Sequence, residues 1–174
     1  MVPRRSNWAV IHEGLCRHPR VSDIPRLVAW RWELREAHRR LRLALQMAQD
    51  AVRHETALPD VSRDLLLFCH GFCVSLEGHH RGEDASLFPA LASQYPEATR
   101  VVGLLRQDHA MISTLLSQLD AAAQANASPA VLARHLEGLA AIMESHFRFE
   151  ERELEPLLDE LELDADPSTV FGPL

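Results

Sequence analysis

The chain has 174 residues, of which 47% are hydrophobic and 25% charged, and its formal net charge is −7. This length fits one domain with a sizeable apolar core. The negative charge argues against a nucleic-acid partner, because phosphate binding relies on concentrated lysine and arginine. The sequence has no run of about 20 apolar residues, so it predicts no membrane-spanning helix.

The cysteine content bears on the compartment. Cys16, Cys69 and Cys73 make an odd number, and no apolar signal segment is evident near the first residue. Both features predict a reducing, cytoplasmic environment. We interpret Cys69 and Cys73, which are four residues apart, as small buried apolar residues, with a redox pair as the alternative.

Four amphipathic stretches separated by helix-breaking residues predict an all-α fold. The expected architecture is an up-down-up-down four-helix bundle over residues 22–163. An irregular N-terminal arm, residues 1–21, should precede it, because proline and glycine interrupt that stretch. The C-terminal tail, residues 164–174, has two prolines and few apolar residues, so we expect it to be loosely packed.

The first helix is predicted to begin at Ser22-Asp23, where a capping residue precedes Pro25, and to end near residue 55. Its apolar stripe consists of Leu34, His38, Leu41, Leu45, Ala48 and Val52. The second helix follows a turn at Pro59 and should be stopped or kinked at Pro89. Its buried face is expected to contain Val61, Leu65, Phe68, Phe72, Leu76, His79, Glu83 and Leu87.

The third helix is predicted to start near Glu97, and the fourth at Ser128-Pro129, with a kink at Pro156. The third stripe contains Leu105, His109, Ile112, Leu116 and Leu119. The fourth contains Leu132, His135 or Leu136, Leu139, Ile142 or Met143, His146, Glu150 and Leu157. Gly78 and Gly82, on the second helix, are poor helix formers, which suggests close approach of another helix or access for solvent.

Two of these helices carry the same short motif. His79 precedes Glu83 by four residues, and His146 precedes Glu150 by four. Residues at this spacing lie on one face of a helix, about 6 Å apart, so the imidazole and the carboxylate can reach one metal centre. A proline follows each histidine ten residues later. The chain therefore contains a sequence repeat centred on a candidate metal-binding pair.

The other two helices each add one histidine, His38 and His109, in the middle of an apolar stripe. Two helical hairpins would bring four histidines and two glutamates into one bundle core. Inward-pointing carboxylates and imidazoles on facing helices are how di-iron sites are built in bundles. Such ligands, with no thiolate in the motif, suit iron or manganese, and also zinc.

The motifs resemble those of the hemerythrin-like, or HHE cation-binding, family, in its actinobacterial type. The resemblance rests on the order His, HxxxE, His, HxxxE and on the wording Gly-His-His-Arg-Gly-Glu-Asp, Gln-Asp-His and Glu-Ser-His-Phe-Arg-Phe-Glu-Glu-Arg. It covers roughly residues 25–163. It implies a four-helix bundle that holds two iron ions joined by an oxo or hydroxo bridge.

The expected metal ligands are His38, His79, Glu83, His109, His146 and Glu150, with Glu83 and Glu150 as bridges. Asp84 and Glu151, next to them in each repeat, are the alternative bridges. The oxygen-carrying members have a second histidine one turn after the third-helix histidine, where this chain has Ser113. His80 is a candidate extra ligand, ahead of Glu144, Glu151 and His135. The alternative for His80 is a position on a neighbouring helix face.

The number of ligands bears on function. Without an extra ligand, both ions keep an open position, which favours redox processing of small oxidants. A carrier instead needs one saturated ion and one open ion. We therefore expect a small ligand, hydrogen peroxide first, then O2 or nitric oxide, and a catalase-like or peroxidase-like activity, which is what the family resemblance implies. The alternatives are a reversible O2-binding or iron-sensing module, an oxidase with an organic substrate, and a bundle without metal.

Overall fold

A computed structural model describes residues 29–55 and 63–172. The predicted N-terminal arm, the start of the first helix and Val61 lie outside the described residues, and so does the side chain of Leu65. Within the described part, no helix is both long and apolar enough to cross a membrane.

Four long helical rods form the bundle. The helices are α1 (Trp30–Glu55), α2 (Arg63–Gly82), α3 (Phe88–Gln94), α4 (Thr99–Gln124), α5 (Pro129–Leu158) and α6 (Pro167–Phe171). A π-helical turn joins α2 to α3 within one rod, and a 3-10 turn precedes α4. Helix α1 packs against α2 and α5, and α4 packs against the same two helices. Each rod therefore contacts its neighbours in the chain, and α5 closes the ring onto α1, so the all-α bundle is confirmed.

The predicted stripes form the interior. Every predicted member on α1 and α4 is buried. On α5 the structure selects Leu136 and Met143 from the two pairs of alternatives. Two predicted members differ. Phe68, on α2, is exposed while its neighbour Cys69 is buried, and Leu157, on α5, is only partly buried while Leu158 is buried. The apolar residues form two clusters, one towards each end of the bundle. The polar stripe residues lie between these clusters.

The two described cysteines, Cys69 and Cys73, are buried. Burial, with a smaller contribution from the nearby Asp120 carboxylate, raises the pKa of Cys73 to about 12. A thiol with such a raised pKa stays protonated and is a poor nucleophile. This supports the interpretation of Cys69 and Cys73 as apolar packing residues.

The second rod contains a feature that the sequence analysis did not anticipate. The rod does not stop at Pro89. A π-helical turn, Glu83–Leu87, connects α2 to α3, which continues past this proline. The backbone N–H of Phe88 donates to the carbonyl of Glu83, five residues earlier. Pro89, which has no N–H, then lies in the first turn of α3, where none is needed. Single π-turns occur often at functional sites, and this one begins at a candidate metal ligand.

The prediction of a loosely packed tail is wrong for the described residues up to 172. Residues 167–171 form α6, which contacts α1 and α2, and its Val170 and Phe171 are buried. Asp166 begins the helix, with its side chain accepting from the backbone N–H of Ser168 at 2.9 Å. Two apolar side chains at the end of this helix are enough to attach the tail to the bundle.

The contact of α6 with Gly82 leads to a stability prediction. A Cβ atom at Gly82 would lie 2.3 Å from the backbone oxygen of Val170, whereas one at Gly71, on the same helix, would meet nothing within 4 Å. We expect Gly71→Ala to raise the free energy of unfolding by about 0.5–1 kcal/mol through helix propensity. Gly82→Ala should instead lower the free energy of unfolding, because the backbone of α6 must move away from the added Cβ atom. Thermal and urea unfolding of both variants measure this, and equal stabilisation by both would contradict the close packing of α6.

Candidate metal centre

The polar stripe residues meet at mid-bundle. His38 comes from α1, His79 from α2, His109 from α4 and His146 from α5. Glu83 opens the π-turn and Glu150 lies one turn beyond His146. Each of these six side chains is buried, with at most 4% of its surface exposed. The helical repeat therefore places all six predicted ligands in one interior layer.

Four of these side chains form a first group: His38, His79, Glu83 and Glu150 each offer a ligand atom within 4.8 Å of the others. The Nε2 atom of His79 lies 3.2 Å from Oε1 of Glu83, and Nε2 of His38 lies 3.3 Å from Oε2 of Glu150. An arrangement of two imidazoles and two carboxylates is suited to hold one metal ion.

A second group contains three imidazoles, those of His80, His109 and His146, again with ligand atoms within 4.8 Å of one another. It adjoins the first group through the glutamates. The other oxygen of Glu83, Oε2, lies 3.6 Å from Nε2 of His109, and Oε2 of Glu150 lies 3.5 Å from Nε2 of His146. Glu83 thus turns one oxygen towards each group, as a carboxylate that bridges two ions does.

His80 belongs to the centre rather than to a neighbouring face. It is 4% exposed, and its ring stacks on that of His109 with 3.9 Å between centroids. Ser113 is only partly buried and lines a surface groove of about 430 Å³ between α2 and α4. His135 and Glu144 belong to neither group, and Glu144 is paired with Arg42 and Arg148.

The centre contains many buried polar atoms without a hydrogen bond. Among the described residues, the buried side-chain nitrogen and oxygen atoms that lack a hydrogen-bond partner belong to His38, His79, His80, Glu83, Asp84, His109, His146 and Glu150. Buried polar groups without partners destabilise a fold, and buried ionised groups do so strongly unless they are paired or bound to a metal. Metal ions between the two groups would satisfy these atoms, so the residues present fit such a cofactor.

Three of the histidines are neutral in the metal-free centre. Burial, with the neighbouring imidazoles, holds the pKa of His79 and of His80 well below the usual value. Burial also lowers the pKa of His146. These three imidazoles are therefore neutral near pH 7, and the neutral form is the one that binds metal.

The two glutamates have opposite shifts in the metal-free centre. Burial and the nearby Glu150 raise the pKa of Glu83 well above the usual value. Burial by itself would raise the pKa of Glu150, but its contact with His38 and the other imidazoles lowers that pKa to about 2. Two carboxyl groups so close and so buried do not readily both ionise. Cations between them would reverse that preference.

Asp84 and Glu151, the alternative bridges, lie outside the centre. Each is partly exposed and faces the outward nitrogen of a histidine, and Asp108 has the same relation to His146. The distances from the histidine Nδ1 are 2.8 Å for His38–Glu151, 3.3 Å for His109–Asp84 and 3.5 Å for His146–Asp108. Outer carboxylates of this kind orient a ligand ring and raise its basicity. Glu83 and Glu150, which point inward, are the better bridge candidates.

Two supporting residues were absent from the sequence analysis. Phe147 stacks on His38 with 3.9 Å between ring centroids, and the Arg42 guanidinium lies 5.3 Å from the same phenyl ring. Arg42 also donates to Glu151 at 3.1 Å, which holds that carboxylate against His38. Arg42 follows His38 by four residues, so helical spacing alone could have placed both on one face.

The charge of Glu83 provides a test of this geometry. Glu83→Gln keeps the side-chain volume but removes the carboxylate shared by the two groups. We expect metal affinity to fall by more than the roughly 10- to 100-fold that the loss of an outer partner costs. Metal content and the thermal midpoint with and without iron measure this. Glu77→Gln, a surface change on the same helix, is the control, and retention of two ions by Glu83→Gln would contradict the assignment.

Comparison with known proteins agrees with the fold and with a cation-binding domain. The family model for the hemerythrin HHE cation-binding domain matches residues 31–158, roughly three quarters of the chain. Searches of curated proteins and of solved structures found no match. The matched stretch contains both groups of candidate ligands and ends before α6. The chain therefore belongs to the hemerythrin HHE cation-binding domain family.

Proposed function

We propose that this chain is a non-heme di-iron protein that binds and redox-processes a small oxidant, namely O2, hydrogen peroxide or nitric oxide. The observation that carries the proposal is the buried layer of five histidines and two glutamates. In it Glu83 directs Oε1 to His79 and Oε2 to His109, which lie in different groups. Iron, when bound, supplies redox chemistry that imidazole and carboxylate side chains do not have.

The two groups are unequal, and this favours one mode of action. His80, His109 and His146 would give one ion three nitrogen bonds, while His38 and His79 would give the other ion two. With both glutamates shared and an oxo or hydroxo bridge, the first ion would be six-coordinate and the second five-coordinate. One saturated ion beside one open ion is the condition for binding O2 at a single end. The geometry therefore favours reversible O2 binding or sensing over the catalase-like turnover expected from the sequence.

Turnover of peroxide is the second candidate, and one observation favours it. Asp84 and Glu151 face His109 and His38 yet keep 40% and 21% of their side-chain surface exposed. Turnover of peroxide requires proton transfer, and carboxylates that reach both a ligand and solvent can exchange protons. The protein contributes an environment with little water, because apolar clusters cover the centre on both sides.

The experiment begins with iron content and an optical spectrum of protein that has been loaded and reduced without air. O2 is then added to one sample and peroxide to another. Two irons per chain with an O2-dependent band that disappears under vacuum would support reversible binding. Two irons with rapid peroxide loss and gas evolution would support turnover. Fewer than two irons per chain would overturn the di-iron proposal.

The role of His80 in the asymmetry can be tested separately. In His80→Ala both ions would have two histidines and an open position. We expect two irons to remain, the O2-dependent band to become short-lived, and peroxide to be consumed faster than by the wild type. His135→Ala, a change on α5 outside both groups, is the control. If His80→Ala behaves like that control, His80 is not a ligand.

A further inference from the structure

The C-terminal helix α6 lies beyond the stretch that matches the family model and covers one side of the centre. The ring of Phe171 is 6.0 Å from that of His79 and 6.1 Å from that of Trp30. On another side, the Phe147 ring is also 6.0 Å from His79. His79 is therefore enclosed by aromatic rings, one of which is supplied by the tail.

The contact between the tail and the second rod is formed by backbone atoms on both sides. A Cβ atom at Gly82 would lie 2.3 Å from the carbonyl oxygen of Val170. A Cβ atom at Gly172, where φ is +77°, would lie 2.9 Å from the backbone of Gly78 and of His79. Gly82, three residues after His79, and Gly172 thus allow the tail to lie directly against the second rod. Such contacts leave no room for a side chain or a water molecule.

Helix α6 covers the group that has fewer histidines. His38 and His79 lie in the group with two imidazoles, and α6 contacts that group through Phe171. In the group with three imidazoles, His109 is covered by Phe88, from within the second rod. The tail therefore lies over the group of His38 and His79, whose ion would have the open position for a small oxidant.

A surface cavity adjoins Phe171. It has a volume of about 190 Å³, lies between α1 and α6, and is lined by Glu33, Glu36, Ala37, Arg40, Pro167, Ser168, Phe171 and Gly172. Phe171 lines this cavity, and its ring is 6.0 Å from that of His79, so this residue lies between the cavity and the centre. It is 3% exposed.

We propose that α6 is the wall that controls access to the ion held by His38 and His79, with Phe171 as the access-determining residue. The inference rests on the proposed di-iron centre. A small molecule that enters the α1–α6 cavity reaches the centre only when the Phe171 ring moves aside. The same ring slows the loss of metal and the entry of water.

The test uses the iron-loaded full-length chain with azide as the probe. We expect Phe171→Ala to bind azide, and to release iron to a chelator, at least about tenfold faster than the wild type, because the wall is replaced by a cavity. Phe171→Leu should stay near the wild-type rates. Phe149→Ala is the matched control, since Phe149 packs in the same apolar cluster. Wild-type rates for Phe171→Ala would overturn the proposal.

A second variant displaces the wall without changing Phe171. Gly82→Ala should move α6 and accelerate azide binding, whereas Gly71→Ala, in open space on the same helix, should not. This pair keeps the test decisive if Phe171→Ala does not fold. Equal azide rates for Gly82→Ala and Gly71→Ala would count against the wall.

Failure of the wall can be distinguished from failure of the di-iron centre. Iron content of the wild type tests the centre alone. Modification of His79 by diethyl pyrocarbonate in the metal-free full-length chain tests the wall alone, with the exposed His70 as internal reference. Phe171→Ala should accelerate modification of His79 relative to His70. An unchanged ratio would overturn the wall whatever the iron content.

Discussion

The interior of this bundle depends on polar groups that the protein alone does not satisfy. Five imidazoles and two carboxylates lie between two apolar clusters, and many of their ligand atoms lack a hydrogen-bond partner among the described residues. Burying ions without partners costs several kcal/mol each. The apolar clusters offset part of that cost, and metal ions would remove most of it by coordinating the same atoms. The centre is thus the least stable layer of the metal-free fold and a strong contributor to the loaded one.

The surrounding structure fixes the orientation of this layer. Glu151 is hydrogen-bonded to Nδ1 of His38, so that Nε2 of this ring faces inward, and Arg42 holds Glu151 in turn. Asp84 and Asp108 lie near Nδ1 of His109 and of His146. The π-turn begins at Glu83, and the backbone of α6 fits against glycines on either side of His79. Each of these features acts on ring or carboxylate orientation rather than on the identity of the ligands. Such positioning turns two similar hairpin motifs into two unequal groups of candidate ligands.

Much of this could be predicted from the sequence. Helical periodicity gave the stripes on α1 and α4 without error, because a 3.6-residue repeat leaves one face to bury. The His-x-x-x-Glu pairs predicted the inward residues for the same reason. His80 was harder, since adjacent residues on a helix point about 100° apart and the sequence does not show that both neighbours face the core.

The tail and the π-turn could not be predicted, because both depend on tertiary contacts. Two apolar residues in α6 carry no periodicity, and their burial depends on close contact with Gly82 on a helix distant in sequence. Pro89 indicated an interruption of the second rod but not its form. A π-turn and a kink both remove the same hydrogen bond, and packing decides between them.

The most direct measurement is a crystal structure of the iron-loaded chain with anomalous scattering recorded at the iron edge. The account predicts two iron peaks per chain. One should lie beside Nε2 of His38 and His79, and the other between His80, His109 and His146, with Glu83 and Glu150 contacting both. A single peak, or a second ion bound without the three histidines, would contradict it.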